Sequence, residues 1–412
     1  MIEQFFPTSA TRERLFVGPL TNDIDRFAAM LASRGYARST ARDKLRLLAH
    51  LSEWLRQRNL GAADLDEQAI DRFRRHRLRR ERVDRATVST CRGLLAFLRE
   101  TGHVNAPNEV IAHSALDRLE HDYTNYLIRE RGLAPVTLLN YVPIARCFLR
   151  ECFGDAAPRL GALCARDVHR FILRQSRIVS RRRAQLIVTA LRSFLRYLQV
   201  RGDITTALAG VVPAVASWRL TELTKALPPA QVERLLRCCD RRTPAGRRDY
   251  AILLLLARLG LRAGEVVAMT LDDIDWASGV VVVRGKGARH EPLPLSQDVG
   301  EALVDYLRHA RPRCETRRVF VRLHAPRRGF ASSCAIDDIV HRALARAGLD
   351  PAFKGAHLLR HSLATRLLKH GASLAEIGEL LRHRRPETTQ VYAKVDLAAL
   401  RALAQRWPGG GR

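Results

Sequence analysis

None of the eight cysteines, at 91, 147, 152, 164, 238, 239, 314 and 334, stands in a CxxC pair or in a CxxC with paired histidines, so no zinc framework is expected. They read as reduced, mostly buried thiols. The opening residues, MIEQFFPTSATRERLF, lack a basic start followed by a long apolar run, so no secretory signal is expected. The most apolar stretch, Ala251 to Ala257, is far too short to span a bilayer, which predicts a cytoplasmic protein with no membrane partner. No carboxylate cluster with metal-ligand spacing is evident, and neither a metal nor a cofactor is expected. Lysine is scarce, six against 64 arginines, a bias that a GC-rich genome partly explains. Such a bias does not explain why 42 acidic residues face 70 basic ones, for a formal net charge of +28 and a pI near 11.0. Excess cation spread over the whole chain favours a polyanionic partner, most simply nucleic acid. With 412 residues and 47% hydrophobic content, the chain is long and apolar enough for two to three packed domains, not a disordered basic tail.

The first half carries what reads as an internal duplication. The string from Arg34 to Thr40 recurs from Arg131 to Thr137, Ala69 to Phe73 recurs as Asp167 to Phe171, and Leu94 to Leu98 with Gly102 recurs as Phe194 to Leu198 with Gly202. All three pairs are displaced by about 97 to 100 residues, the size of one small domain. Apolar positions 45, 48, 51, 54 and 55 fall on one helical face, as do 187, 191, 194, 195 and 198, so each unit is expected to be a set of short amphipathic helices. Asn105 to Asn108, with a central proline, is expected to separate the two units. Val211 to Pro229, with three prolines, is the expected linker to the last third. The implied division is 1–112, 113–212, a linker over 213–229, and a final domain over 230–412.

That final domain reads as helices around a hairpin. Ala230 to Cys239 and Asp249 to Arg258 are expected helices. Val280 to Arg284 and Glu291 to Leu295 are expected strands joined by a glycine-flanked turn bearing Lys286. Ser296 is the expected cap of a helix through Arg308. From Ile336 the pattern is helical, broken near Gly348, Gly355, Gly371 and Pro386. Across this domain run four strings: ARLGLRAGEV (257–266), VRGKGARH (283–290), HLLRH (357–361) and LLRHRRPETTQVYAKV (380–395). They carry Arg262, Lys286, His357, Arg360, His383 and Tyr392. These are the residue types needed to break a phosphodiester without a metal: a tyrosine to attack, and cations to surround the phosphate.

In this order and spacing the strings resemble the tyrosine recombinase (phage integrase) family, with Xer-type and transposon-encoded bacterial enzymes the nearest in pattern. The resemblance covers roughly Leu227 to Ala399. It implies a mainly α protein, with two helical SAM-like DNA-binding units followed by a mostly helical catalytic domain holding a small β-hairpin. The second unit resembles the core-binding domain of Xer-type enzymes, and the first is extra to the minimal plan. Guanidinium is always protonated and matches paired phosphate oxygens, so Arg262 and Arg360 are assigned to clamp the scissile phosphate, with Glu265 orienting Arg262. Lys286 is assigned to protonate the leaving 5′-oxygen. His357 is assigned to proton movement at the tyrosine or to a phosphate hydrogen bond, and His383 to a phosphate oxygen. Tyr392 is the nucleophile, while His361 reads as a packed or supporting histidine. One position departs from the family pattern: Arg382 stands where a glycine normally precedes the histidine. The resemblance further implies double-stranded DNA as partner and four protomers on two sites, either identical or shared with a sister recombinase. Two rival readings are a type IB topoisomerase-like activity and a catalytically silent DNA-binding protein that kept the fold.

Overall fold

A computed structural model describes residues 2–8, 12–13, 17–78, 85–104, 114–154, 156–216, 226–285, 290–383 and 385–395. Lys286, the Asn105–Asn108 break, the greater part of the expected linker and the chain after residue 395 lie outside the described residues. Contacts divide the chain into two compact units, Met1–Val104 with Leu220–Arg412, and Asn105–Arg219.

The same series of helices occurs twice. The first series is α1 (Thr21–Ser33), α2 (Arg38–Arg56), α3 (Glu67–Leu78) and α4 (Arg85–Glu100). The second is α5 (Ala115–Arg129), α6 (Pro135–Phe153), α7 (Ala165–Ile178) and α8 (Arg181–Arg201), followed by the short α9 (Leu208–Val211). Single-turn 3-10 helices at Ala62–Asp64 and Leu160–Ala162 precede the third helix of each series. Gly35 and Gly132 both take positive φ between the first and second helices, and Gly102 and Gly202 do so after the fourth. Each series closes its own apolar core. Leu48, Leu51, Trp54, Phe73 and Leu94 are buried in the first, and Phe148, Phe171, Leu191, Phe194 and Leu198 in the second. The amphipathic faces expected at 45–55 and 187–198 are the buried faces of α2 and α8.

Gly35 also meets the far end of the chain. Its φ is +73°, and a Cβ there would lie 2.5 Å from the Arg327 side chain. The Arg327 N–H donates to the Arg34 carbonyl at 3.0 Å. The positive φ favours glycine there.

The last part of the chain is built on α11 (Pro244–Arg258), preceded by α10 (Pro229–Arg237) and followed by the one-and-a-half-turn α12 (Ala263–Ala268). Every residue from Ala251 to Ala257 is buried, as expected of a helix surrounded on all sides by protein. A three-stranded antiparallel sheet follows, β1 (Ile274–Asp275), β2 (Val280–Arg284) and β3 (His290–Pro294), in that order. β2 and β3 pair from Val280 opposite Pro294 to Arg284 opposite His290, the expected hairpin. β1 has two residues, too few to leave an alternating pattern, and was not legible. Then come α13 (Gln297–His309), α14 (Cys334–Arg346), α15 (His357–Lys369), α16 (Leu374–Leu380) and 3-10 turns at Pro386–Thr388 and Gln390–Val395.

Two expectations are adjusted. α11 starts at Pro244, five residues earlier than Asp249, because Thr243 accepts the Gly246 N–H at 3.0 Å and proline suits the first helical turn. Ser296 does hold the cap position of α13, but its hydroxyl donates to Asp298 at 2.7 Å and caps no backbone N–H. Among the described residues no helix is long and apolar enough to cross a membrane.

Candidate active site

The site begins where α11 stops. Gly260, at φ +60°, turns the chain, and a Cβ there would lie 2.6 Å from Leu381 and 3.0 Å from Leu363. Glycine therefore lets the strap carrying Arg262 lie against α15 and the end of α16. Arg262 takes the cap position of α12 with extended backbone. Its own N–H donates to Glu265 Oε2 at 2.9 Å, and its Nη1 donates to Glu265 Oε1 at 2.6 Å. The carboxylate thus grips both backbone and guanidinium, as the three-residue spacing predicted. The Arg262 side chain keeps 38% of its surface exposed, so its guanidinium reaches solvent where a phosphate would enter.

Arg360 is set differently. It lies on α15 and is 3% exposed. Its two terminal nitrogens donate to the carbonyls of Gly260 and Leu381. The start of α15 is pinned by Asp337 of α14, which accepts the Ala356 N–H at 2.8 Å. Burial, then the charges of Arg262 and Arg382, push the Arg360 pKa down to about 9. It therefore stays cationic at neutral pH, in surroundings that an arriving anion would relieve.

Tyr392 lies in the last 3-10 turn, 1% exposed, against Leu363, Ala364, Ile377 and Leu381. Burying each such leucine or isoleucine contributes roughly 1.5–3 kcal/mol, which fixes the turn that carries the phenol. Burial raises the phenol to about 12, while Arg360 and Arg262 pull against that rise. The tyrosine is thus within the field of both arginines.

The histidines divide around it. His361 Nδ1 is 2.8 Å from the Tyr392 hydroxyl. Burial, with His357 and Arg360 nearby, lowers its pKa to about 4, so the imidazole is neutral at pH 7. The His383 ring stacks parallel to Tyr392 with centroids 6.4 Å apart, and its Nδ1 is 2.8 Å from the Thr389 hydroxyl. Burial and then the charges of Arg360 and Arg262 hold His383 near 4 as well. His357 lines a cleft of about 690 Å³ together with Arg262, Glu265, Arg382 and His383. Its ring centroid lies 6.4 Å from that of His361. Sequence reading gave His361 only a supporting place. The available signal was that 357 and 361 are four residues apart on one helix, hence on one face.

Arg382 explains itself in this setting. The Arg382 N–H bonds to the Glu379 carbonyl and the His383 N–H to the Gly378 carbonyl, each at 2.9 Å. This is the paired closure of a Schellman motif at the end of α16, and it puts residue 382 in the left-handed region, at φ +55°. Glycine is favoured there because a Cβ costs about 1 kcal/mol or more. The structure thus brings together Arg262, Glu265, His357, Arg360, His383 and Tyr392, with His361 and Arg382 added. Lys286 lies outside the described residues. Among the described residues, no group of three or more His, Cys, Asp or Glu could hold a metal ion.

Comparison with known proteins places this geometry. Residues 225–398 match the phage integrase family. The chain is 46% identical over 393 residues to the Sinorhizobium fredii protein designated integrase/recombinase y4rA, covering 95% of each. It is 31% identical over 299 residues to tyrosine recombinase XerD of Listeria monocytogenes, covering 71% of this chain and 99% of that one. In fold it is similar to the XerH site-specific recombinase bound to palindromic difH substrate, in a post-cleavage complex. The TM-score is 0.56 at 18% identity, over 77% of this chain and 89% of that one.

Proposed function

The chain belongs to the phage integrase family and is a tyrosine site-specific recombinase, and from that premise we propose that Tyr392 is its nucleophile and that the groups around it are its catalytic machinery. The Tyr392 oxygen attacks a backbone phosphorus of double-stranded DNA. An O–P bond forms to the 3′-phosphate, the P–O5′ bond breaks, and a 5′-hydroxyl leaves. The hydroxyl of another strand reverses the step, so the bond energy is kept and no nucleotide cofactor is consumed. Arg262 and Arg360 hold the non-bridging oxygens, each supplying about 3 kcal/mol of transition-state stabilisation. Lys286 delivers the proton to the 5′-oxygen. His361, neutral and in contact with the phenol, takes the tyrosine proton at Nδ1 and returns it in the reverse step. With Thr389 donating to His383 Nδ1, the His383 proton rests on Nε2, the nitrogen that donates to a phosphate oxygen. His357 serves the same phosphate from the cleft wall.

The observation that carries this reading is the buried phenol held 2.8 Å from a neutral imidazole, within the field of two arginines. A suicide substrate nicked beside the scissile bond tests it, because the released fragment diffuses away and traps the enzyme. The adduct is expected on the peptide containing Tyr392. A silent DNA-binding protein would give none, and an adduct on another tyrosine would displace the assignment.

Cleavage is expected to survive chelation. The charge that Mg²⁺ supplies in metal-dependent phosphoryl transfer comes here from guanidinium and ammonium groups. Loss of trapping in EDTA, restored by Mg²⁺, would overturn the cation clamp.

We assign residues 1–112 to DNA affinity or assembly, 113–212 to the core site, 213–229 to a linker and 230–412 to catalysis, with four protomers acting on two synapsed cytoplasmic DNA sites. The net charge of +28 supports an extended DNA footprint. A fragment from Ala115 to Arg412 is expected to keep forming the phosphotyrosine bond, with a shallower slope of log affinity against log salt. An unchanged slope would make the first unit a protein-contact module. A folded fragment unable to cleave would make it part of the catalytic assembly.

A further inference from the structure

Arg382 is a bulky cation in a backbone conformation that favours glycine, yet its side chain is only 5% exposed and turned into the site. Its Nη2 donates to Glu265 Oε2 at 2.8 Å, across 117 residues of sequence, and its Nη1 donates to the Leu380 carbonyl at 3.0 Å. Glu265 Oε2 is the same oxygen that accepts the Arg262 N–H. Arg262 closes the ring from the other side, with Nη2 3.3 Å from the Arg382 carbonyl. The buried Arg382 Nε makes no hydrogen bond among the described residues and faces Glu291 Oε2 at 3.9 Å.

We propose that Arg382 is a positioning residue that locks the His383 turn to the Arg262 strap through a shared Glu265. The reading rests on Arg262 and Tyr392 being reacting groups, as set out above.

Glu265 is buried and ionised. Burial opposes its charge, and the nearby Arg382 and Arg262 overcome that and hold it below the usual glutamate range. With Arg262 as sole counter-ion, the carboxylate would draw the guanidinium away from an entering phosphate. Arg382 supplies the second positive charge, so Glu265 can orient Arg262 without neutralising it. The ring of contacts also fixes the distance between the clamp and His383, which follows Arg382 directly. A phosphate that must touch both groups needs that spacing held to a fraction of an ångström.

The test uses the full chain, with Arg382→Gly, Arg382→Lys and Arg382→Gln compared by melting temperature, DNA affinity and single-turnover trapping on the suicide substrate. Arg382→Gly relieves the left-handed turn but removes a buried partner of Glu265, so it is expected to melt below the parent temperature. It is expected to bind DNA unchanged, since residue 382 is enclosed, and to cleave about 10- to 100-fold more slowly. At matched stability Arg382→Gln is expected to cleave more slowly than Arg382→Lys, which a purely structural side chain would not produce. Arg382→Lys should recover part of the rate. In a Glu265→Gln background, Arg382→Gly should cost little more, because the charge it balances is gone. Parent-level cleavage by Arg382→Gly would overturn the proposal. A large loss of DNA affinity would overturn it too, making Arg382 a phosphate contact. Should Arg382→Gly prove unstable, Lys and Gln variants of matched stability decide, and equal rates for the two sink the idea. Failure of the parent chain to form an adduct at Tyr392 would instead remove the underlying site assignment.

Discussion

Tyr392→Phe is expected to bind its DNA as the parent does and to form no SDS-stable adduct. The substitution removes one oxygen and leaves the ring that packs against Leu363, Ile377 and Leu381. The phenol is 1% exposed, so its hydroxyl contributes little to the DNA-facing surface. What is lost besides the nucleophile is the contact with His361, a hydrogen bond worth about 0.5–1.5 kcal/mol net, so the variant stays folded. The effect on chemistry is of another order. The Tyr392 hydroxyl lies 2.8 Å from His361 within the field of Arg360 and Arg262, and loss of a nucleophile costs on the order of 10⁶ in rate where it has been measured alone. Filter binding and gel trapping on the same nicked duplex separate the two quantities. An SDS-stable complex with the Phe variant would show that another residue attacks.

The second large effect is expected at Arg360. Arg360→Ala removes the proposed phosphate ligand and, at the same time, the donor that joins the carbonyls of Gly260 and Leu381. Those carbonyls belong to the two turns that deliver Arg262 and Arg382. Leaving each buried acceptor unpaired costs about 1–3 kcal/mol, and the missing clamp costs about 10²–10³ in cleavage rate. Because the alanine variant can lose activity through its fold, Arg360→Lys is the sharper probe. Lysine keeps the charge but is a single point donor and cannot bridge two carbonyls while presenting a fork to phosphate. The lysine variant is expected to melt close to the parent, bind DNA, and still cleave at least tenfold more slowly. Cleavage by Arg360→Lys at the parent rate would show that this site needs charge alone.

His361 and Arg382 mark what was hard to read in advance. The sequence offers His357 either for proton movement at the tyrosine or for a phosphate hydrogen bond. Both histidines share a helix face, and in the structure it is His361, a turn further along, that lies 2.8 Å from the Tyr392 hydroxyl. Arg382 stands out in the sequence as a departure from the usual glycine. Its guanidinium turns inward to Glu265. The left-handed turn behind it is local and was inferable from the usual glycine, whereas the partner of its side chain was not.

The sequence by itself determined the chemistry, the order of the elements and most of their extents. Arg262 with Glu265, the HLLRH string and the run into Tyr392 are local patterns whose spacing sets which residues share a face or a turn. Helical periodicity and the duplicated strings pointed to two units of short amphipathic helices, because apolar positions must face a core wherever the helices pack. Tertiary structure alone decided which distant groups meet: Glu265 between Arg262 and Arg382, Arg360 beneath the carbonyls of Gly260 and Leu381, His361 against Tyr392. Those meetings depend on how α11, α15 and α16 stack. Close packing there is settled by side-chain shape to within an ångström, a quantity that periodicity and charge along a chain do not contain.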